Sequence, residues 1–387
     1  MTLSIVMPCL NEAETLATCI RKAAGALRAE GIDGEIVIAD NGSTDGSREI
    51  AEREGARVVR VAEAGYGNAL RGGIEAARGA WVLMGDADDS YDFSSISGFV
   101  SKLREGHDLV MGCRLPSGGG TILEGAMPWK HRWIGNPVLT FIGRLFFHSP
   151  ANDFHCGMRA FTKDAYERLA LQTTGMEFAS EMVIRATLAG MRIAEVPVTL
   201  HPDGRSRAPH LRSWRDGWRH LRFMLLFCPR WLFLIPGVIL AVPGVMGVLA
   251  LSFGNLDLGG VTLDVGTLMA CAMMLLVGLQ VIWFAVFTRA FAEAEGLLPP
   301  QPGLRKVQES VTLEWGLVSG LVLAAGGMGL FLWAFLDWRA AGFGGISYAD
   351  NLRRIIPAST MILLGIQNGF GSFFMGVLTL KRRVKLN

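Results

Sequence analysis

Trp81-Val82-Leu83-Met84-Gly85-Asp86-Ala87-Asp88-Asp89 sets a run of apolar residues directly against a glycine and three carboxylates. The run is short and stops at a glycine, so it reads as a buried strand that ends where the acids begin. In extended chain, residues two apart share a face, which leads us to expect converging oxygens from Asp86 and Asp88. Two such carboxylates repel unless a cation lies nearby. Hard oxygen donors suit Mg²⁺ or Mn²⁺, shared with a diphosphate that completes the coordination. A lone Asp-x-Asp also occurs in solvated turns; here its weight comes from its place in the chain.

Strand, turn and helix alternate around this stretch. Ser4–Met7 reads as a strand followed by Asn11 as a helix cap, with Glu12 and Glu14 in the first turn. The pattern repeats as 35–39 before a helix near 45–54, 57–61 before 67–78, and 81–84 before 94–104. That order predicts an α/β fold built on a mostly parallel sheet. Ligands of such sheets bind beyond the carboxyl ends of the strands. Three of these edges are polar: Pro8, Asn11 and Glu12; then Asp40-Asn41-Gly42-Ser43-Thr44-Asp45-Gly46; then the Asp86 to Asp89 run. Turn chemistry accounts for the glycines of the second edge, whereas Asp40 suits recognition of a base or ribose.

The chain has 387 residues, half of them hydrophobic and 19% charged, more apolar surface than one soluble core would hide. This excludes a disordered chain. The 37 basic and 35 acidic residues nearly cancel to +2, which argues against a nucleic-acid partner. Six scattered cysteines, with no Cys-x-x-Cys pair, suggest neither a zinc site nor a disulfide scaffold. Residues 231–253, 265–288, 315–336 and 355–380 carry no formal charge, and each is long enough to cross a bilayer as a helix. The expected organisation is a catalytic domain at 1–210, an amphipathic interfacial helix at 211–230 carrying Trp214, Trp218, Leu221 and Leu225, and a four-helix transmembrane domain at 231–387. Arg212, Arg215, Arg219, Arg222 and Arg230 precede the first span, and Lys381, Arg382, Arg383 and Lys385 follow the last. Both ends are therefore expected on the cytoplasmic side of a cell (inner) membrane, with the absence of a basic leader before Leu10 in agreement. Arg339, Arg353 and Arg354 blunt that contrast. Gly316-x-x-x-Gly320 and Gly365-x-x-x-Gly369 permit close helix approach, within the bundle or in a homo-oligomer.

Val6-x-Pro8-x-x-Asn11-Glu12, Ala39 to Gly46 and Asp86-Ala87-Asp88 together resemble glycosyltransferase family 2, enzymes of the GT-A fold. Downstream, Gly112-Cys113-Arg114, Asp153-Phe154-His155-Cys156-Gly157-Met158-Arg159-Ala160-Phe161 and Glu181-Met182-Val183 are similar to its polyprenyl-phosphate branch, which includes dolichol-phosphate mannose synthases. The resemblance spans about residues 1–225. It implies inverting transfer of a hexose from a UDP- or GDP-linked sugar to a polyprenyl phosphate. The metal falls on Asp86 and Asp88, and the donor on Pro8, Asn11, Glu12, Asp40, Gly42, Ser43, Gly67, Asp86 and Ala87. Arg205 or Arg207 in the polar loop after the last strand resembles a gate over the diphosphate. Asp88, Arg114 and Asp153 are the expected catalytic residues. An anionic acceptor needs cations rather than a base, which suits Arg114 with Lys130 and Arg132. Where the branch commonly has Asp-Asp-Gly-Ser this chain has Asp40-Asn41-Gly42-Ser43, and Asp89-Ser90-Tyr91-Asp92 replaces a usual Gln or His, which leaves a third metal ligand unassigned. The Q-x-x-R-W signature of polymer synthases is missing. Transfer to a hydroxyl would instead demand a base among Asp153, Asp89 and Glu181. A non-catalytic sugar-nucleotide-binding membrane subunit is the other alternative.

Overall fold

The structure, a computed structural model, describes residues 1–206, 213–296, 298–299, 313–345 and 347–380. The chain divides into two compact units, Met1–Met224 and Leu225–Asn387.

In the first unit, the strands β1 (Leu3–Cys9), β2 (Gly34–Asp40), β3 (Arg57–Arg60) and β4 (Trp81–Met84) run parallel in the order β3-β2-β1-β4. Their near-continuous apolar residues suit a sheet covered on both faces: Ile5, Val6, Met7, Val37, Ile38, Val82 and Leu83 have no exposed surface. Register sets Cys9 beside Asp40 and Val6 beside Met84, so the polar turns leave the sheet along one edge. Beyond β4 lies a departure from a simple parallel series. β7 (Arg159–Thr162) inserts antiparallel between β4 and β5 (Leu109–Cys113), β8 (Ile193–Pro197) pairs parallel with β5, and the short β6 (Thr121–Ile122) stands outside this sheet. This insertion delivers residues 153–159 to the same edge as Asp86.

The helices α1 (Leu16–Ala29), α2 (Ser47–Arg53), α3 (Tyr66–Ala76) and α4 (Ser97–Arg104) follow the expected alternation. α5 (Asn136–Phe147), α6 (Lys163–Leu169) and α7 (Glu177–Leu188) complete the layer with α8 (Ser213–Leu226). α8 does not lie free at an interface over its whole length. Arg219 Nη2 pairs with Glu177 Oε1 at 2.8 Å, His220 meets Ser180 Oγ at 2.8 Å, and Met224 is fully buried. The first unit therefore takes in most of the segment expected as a linker, while Trp218 stays 58% exposed. The Trp214 side chain lies outside what is described.

The second unit holds four apolar helices: Arg230–Leu251, Val265–Ala294, Leu313–Ala340 and Tyr348–Leu378. A short hairpin of Leu256–Leu258 with Val261–Leu263 joins the first two. Gly237 meets Ile282 and Gly244 meets Leu275, so these two helices are antiparallel. Gly320 lies against the Gly365 carbonyl and Gly327 against that of Ala358, which makes the third and fourth antiparallel as well. The glycine motifs thus act inside the bundle, where a missing side chain lets backbones approach. Asn368 Nδ2 reaches across to Ser319 Oγ at 2.7 Å, satisfying a polar group that lipid would leave bare. The basic residues 381–387 lie outside the described residues. Of the three arginines that blunted the charge contrast, Arg354 pairs with Asp337 and Arg353 with Asp350.

Candidate functional site

At the end of β1 the chain turns through Asn11, whose φ of 60° takes it into the left-handed region. Asn11 does not cap α1, which begins only at Leu16. Its Oδ1 accepts from the Thr44 amide at 2.8 Å, its own amide donates to Ser43 Oγ at 3.0 Å, and the Glu12 amide donates to Ser47 Oγ at 2.9 Å. The first two polar edges are therefore one structure. Asp40 is only 2% exposed, and its carboxylate accepts from the amides of Ser43 at 3.1 Å and Gly42 at 3.3 Å. Asp40, Gly42 and Ser43, expected to contact the donor, build this turn together. Asn41 continues the cradle, with Nδ2 donating to the Glu63 carbonyl at 2.8 Å and Oδ1 accepting from the Gly65 amide at 2.8 Å. A cavity of about 300 Å³ opens beside it, lined by Asn11, Glu12, Glu14, Thr44, Asp45 and Arg205, and lies within the range for small ligands. Pro8 contributes backbone to the sheet, in register with Ala39.

Gly67, expected among the donor contacts, has its amide engaged within the protein. Its amide donates to the Thr174 carbonyl at 3.0 Å, and a Cβ there would stand 2.7 Å from the Thr173 oxygen, so packing of α3 against the 173–175 turn demands glycine.

The strand ends at Met84, so the pleat that was to converge Asp86 and Asp88 does not extend to them. A bent loop converges them instead. Asp86 Oδ1 accepts from the Tyr66 hydroxyl at 2.9 Å. Asp88 Oδ1 accepts from Ser90 Oγ at 2.5 Å, and its Oδ2 from Arg205 Nη2 at 2.8 Å. The Ala87 carbonyl accepts from Thr15 Oγ1 at 2.7 Å. Burial, and then the Asp88 charge, push the Asp86 carboxyl up to about 6, partly offset by Tyr66, Arg205 and Arg114. Arg205 also donates to Glu12 Oε1 at 3.1 Å and Asp203 Oδ2 at 3.0 Å, and Ser206 Oγ donates to Glu14 Oε1 at 2.6 Å. The polar loop thus folds over the two aspartates with a cation resting on one of them. Arg207 lies outside the described residues.

The residues fit a divalent ion in one respect and limit it in another. Asp88 already holds a cation in the form of Arg205, and its charge raises the proton affinity of Asp86. Among the described residues, no group of three or more His, Cys, Asp or Glu side chains could hold a metal. A site here would comprise two carboxylates, with the remaining ligands from diphosphate and water.

Arg114 and Asp153 are brought together, deeply. Asp153 Oδ2 accepts from Arg114 Nε at 2.7 Å and from its amide at 3.0 Å, and Oδ1 accepts from Nη2 at 2.9 Å. Burial alone would raise the Asp153 carboxyl, but Arg114 outweighs it and holds the group below the usual carboxylate range. Nη1 is the guanidinium nitrogen left outside this pair. Asp153 is oriented in turn by Glu195, which accepts from its amide at 3.1 Å and from the Asn152 amide at 2.6 Å. The other two base candidates are also engaged: Asp89 with Lys22 at 2.7 Å, and Glu181 with Arg185 at 3.0 Å and the Thr173 amide at 2.8 Å. Lys130 is exposed and Arg132 stacks over Trp133 at 5.4 Å, while burial and then the Arg114 charge lower the intervening His131.

Sequence reasoning missed Tyr66, Glu195 and Arg159. Arg159 is fully buried and donates to the carbonyls of Cys156 at 2.8 Å and Phe154 at 3.1 Å, and to that of Ala179. A Cβ on Gly157 would come within 2.8 Å of Asp86 Oδ2. The sequence signal was proximity to Asp153 for Arg159 and the Gly65-Tyr66-Gly67 turn for Tyr66, whereas Glu195 lies 42 residues from Asp153 and left none.

Residues 4–170 match glycosyl transferase family 2, and residues 286–379 match the glycosyltransferase family 2 C-terminal transmembrane region. The chain belongs to glycosyltransferase family 2 and is a membrane-integral glycosyltransferase. It is 38% identical to the low-salt glycan biosynthesis hexosyltransferase Agl6 of Haloferax volcanii, across 97% of this chain and 89% of that protein. It is 35% identical to the glycosyltransferase AglJ of the same organism, across 55% of this chain and 67% of that protein. Among solved structures, glucosyl-3-phosphoglycerate synthase from Mycobacterium tuberculosis, in complex with Mn²⁺, UDP and glucosyl-3-phosphoglycerate, is 22% identical with a TM-score of 0.44, covering 58% of this chain and 77% of that one. A likeness of that size says nothing about ligands.

Proposed function

We propose that the protein transfers a hexose from a UDP- or GDP-linked sugar to a polyprenyl phosphate, with inversion, at the cytoplasmic face of the membrane. The engagement of every candidate base carries this reading. Asp153 is held by Arg114, Asp89 by Lys22 and Glu181 by Arg185, so none is poised to take a proton from an acceptor hydroxyl. A phosphate oxygen is largely ionised near neutral pH and needs no base. The hexosyltransferase named among the relatives agrees with the class of sugar.

The nucleoside of the donor fits the cavity beside Asn11, Glu12 and Thr44. Asp86 and Asp88 would hold Mg²⁺ or Mn²⁺, which supplies charge neutralisation for the diphosphate. Arg205 must leave Asp88 as the donor enters, and it then has an anionic diphosphate within reach as a new partner. Arg114, fixed by Asp153, presents Nη1 to the acceptor phosphate, and Lys130 and Arg132 add positive charge on the exposed segment alongside. The acceptor oxygen attacks the anomeric carbon as the bond to the nucleoside diphosphate breaks. The electron pair leaves with the diphosphate, and no net proton transfer is required. Tyr66 and Gly157 position Asp86.

The test is to incubate membranes containing the protein with a panel of radiolabelled sugar nucleotides and polyprenyl phosphate, then to extract lipid. Label in an acid-labile phospholipid from one donor is the expected result. Label only on a hydroxyl-bearing glycolipid, or none with any donor, would overturn the reading.

A further inference from the structure

The second and fourth apolar helices run parallel, since Gly371 faces Trp283 while Ile356 clusters with Leu268 and Ala272. Between their N-terminal halves lies a cavity of about 840 Å³. It sits at the end of the bundle where the first helix finishes, opposite the end where the chain enters at Arg230. From Asp264 to Leu276 the lining descends roughly 18 Å along one helix, more than half a hydrocarbon core. The deep walls are apolar, with Met273, Leu276 and Leu363 among them, and methionine adapts to irregular chains.

The rim has a different chemistry. It carries Asn255, Asp264, Tyr348 and Arg353. Arg353 bonds Asn255 and, at 3.2 Å, Asp350 Oδ1, while its Nε is buried without a hydrogen-bond partner. One Asp264 oxygen caps the second helix by accepting from the Gly266 amide at 2.9 Å. A guanidinium partly neutralised by Asp350 suits one negative charge, and the Asp264 carboxylate disfavours a second. Carboxylate, amide and phenol together match sugar hydroxyls.

We infer that this cavity binds a lipid phosphodiester carrying a sugar, with the chain between the two helices and the headgroup at the rim, at the end of the bundle opposite Arg230. The inference rests on the proposed reaction, whose product has that chemistry, and it gives the bundle a product-binding role beyond anchoring.

The experiment uses the full chain in nanodiscs with farnesyl phosphoglucose bearing a terminal diazirine. We expect photolabel in the peptides of 265–276 or 348–363. Unlabelled farnesyl phosphoglucose should compete at least tenfold better than farnesyl phosphate, phosphatidylglycerol or glucose 1-phosphate. Arg353→Gln should lower labelling about tenfold with the initial rate of sugar transfer unchanged. Should Arg353→Gln fail to yield a monodisperse protein, Met273→Trp, which fills the cavity from the other helix, must abolish labelling. Absence of label there, or equal competition by phosphatidylglycerol or farnesyl phosphate, would overturn the inference. Transfer to polyprenyl phosphate is scored in the same nanodiscs: label lost with transfer intact sinks only the cavity, whereas loss of transfer sinks the proposed reaction.

Discussion

Arg205 rests on Asp88 and Glu12, the oxygens nearest to where a diphosphate and its cation are proposed to lie. Under that proposal, metal and guanidinium would compete for Asp88. Arg205→Ala is expected to tighten Mn²⁺ binding in the absence of donor by about tenfold, the size of one charge-assisted hydrogen bond, while slowing transfer; calorimetry and initial rates check both. Asp88→Ala should remove the divalent dependence of donor binding, and unchanged Mn²⁺-dependent affinity would refute that assignment. At Asp153 the question is stability. Asp153→Asn leaves Arg114 buried beside a neutral amide, at an expected cost of about 3 kcal/mol. The pH sign follows from the direction of the shift. The folded carboxyl is held below its unfolded value of about 3.9, so its stabilisation is complete above that value and fades as pH falls through the folded one. The difference in melting point between wild type and Asp153→Asn should accordingly hold from pH 7 down to about 4 and shrink only below that.

Two elements owe their position to the absence of a side chain. Gly67 lets α3 abut the turn at Thr173 and Thr174, which brings Tyr66 to Asp86. Gly67→Ala would drive a methyl into backbone and should destabilise the first unit by about 1–3 kcal/mol, read as a lower melting point. Gly157 sits in the loop before β7, facing Asp86 Oδ2. Gly157→Ala should weaken donor binding more than it lowers the melting point, because the crowded atom is the end of a side chain rather than backbone. Tyr66→Phe, which removes one hydrogen bond to Asp86, should share that signature.

At the level of the entire protein, the two units divide two kinds of solvent. The first buries its apolar residues against a sheet; the second leaves Leu321, Val322 and Phe370 more than 60% exposed, as lipid-facing side chains are. Packing between the third and fourth helices depends on Gly320 and Gly365. Gly365→Leu should separate them and shorten the half-life of the protein in detergent, with donor binding by the first unit retained.

The alternation of strand and helix, the four spans and the polar strand ends were legible in the order of residues, because hydrophobic periodicity and uninterrupted apolar length are local properties. Asp86 and Asp88 stood out for the same reason: carboxylates directly after a buried strand need no distant partner to be noticed. What the chain order could not give was who meets whom. Asn11 looked like a helix cap but builds the joined turn, and Asp40, expected as a ligand contact, helps to build it. Asp153 reached Arg114, and Arg205 reached Asp88 and Glu12, through chain closures of 39, 117 and 193 residues. The antiparallel insertion of β7 decided which side chains share the site, since pairing across a sheet is set by tertiary packing and leaves no periodic mark in the sequence.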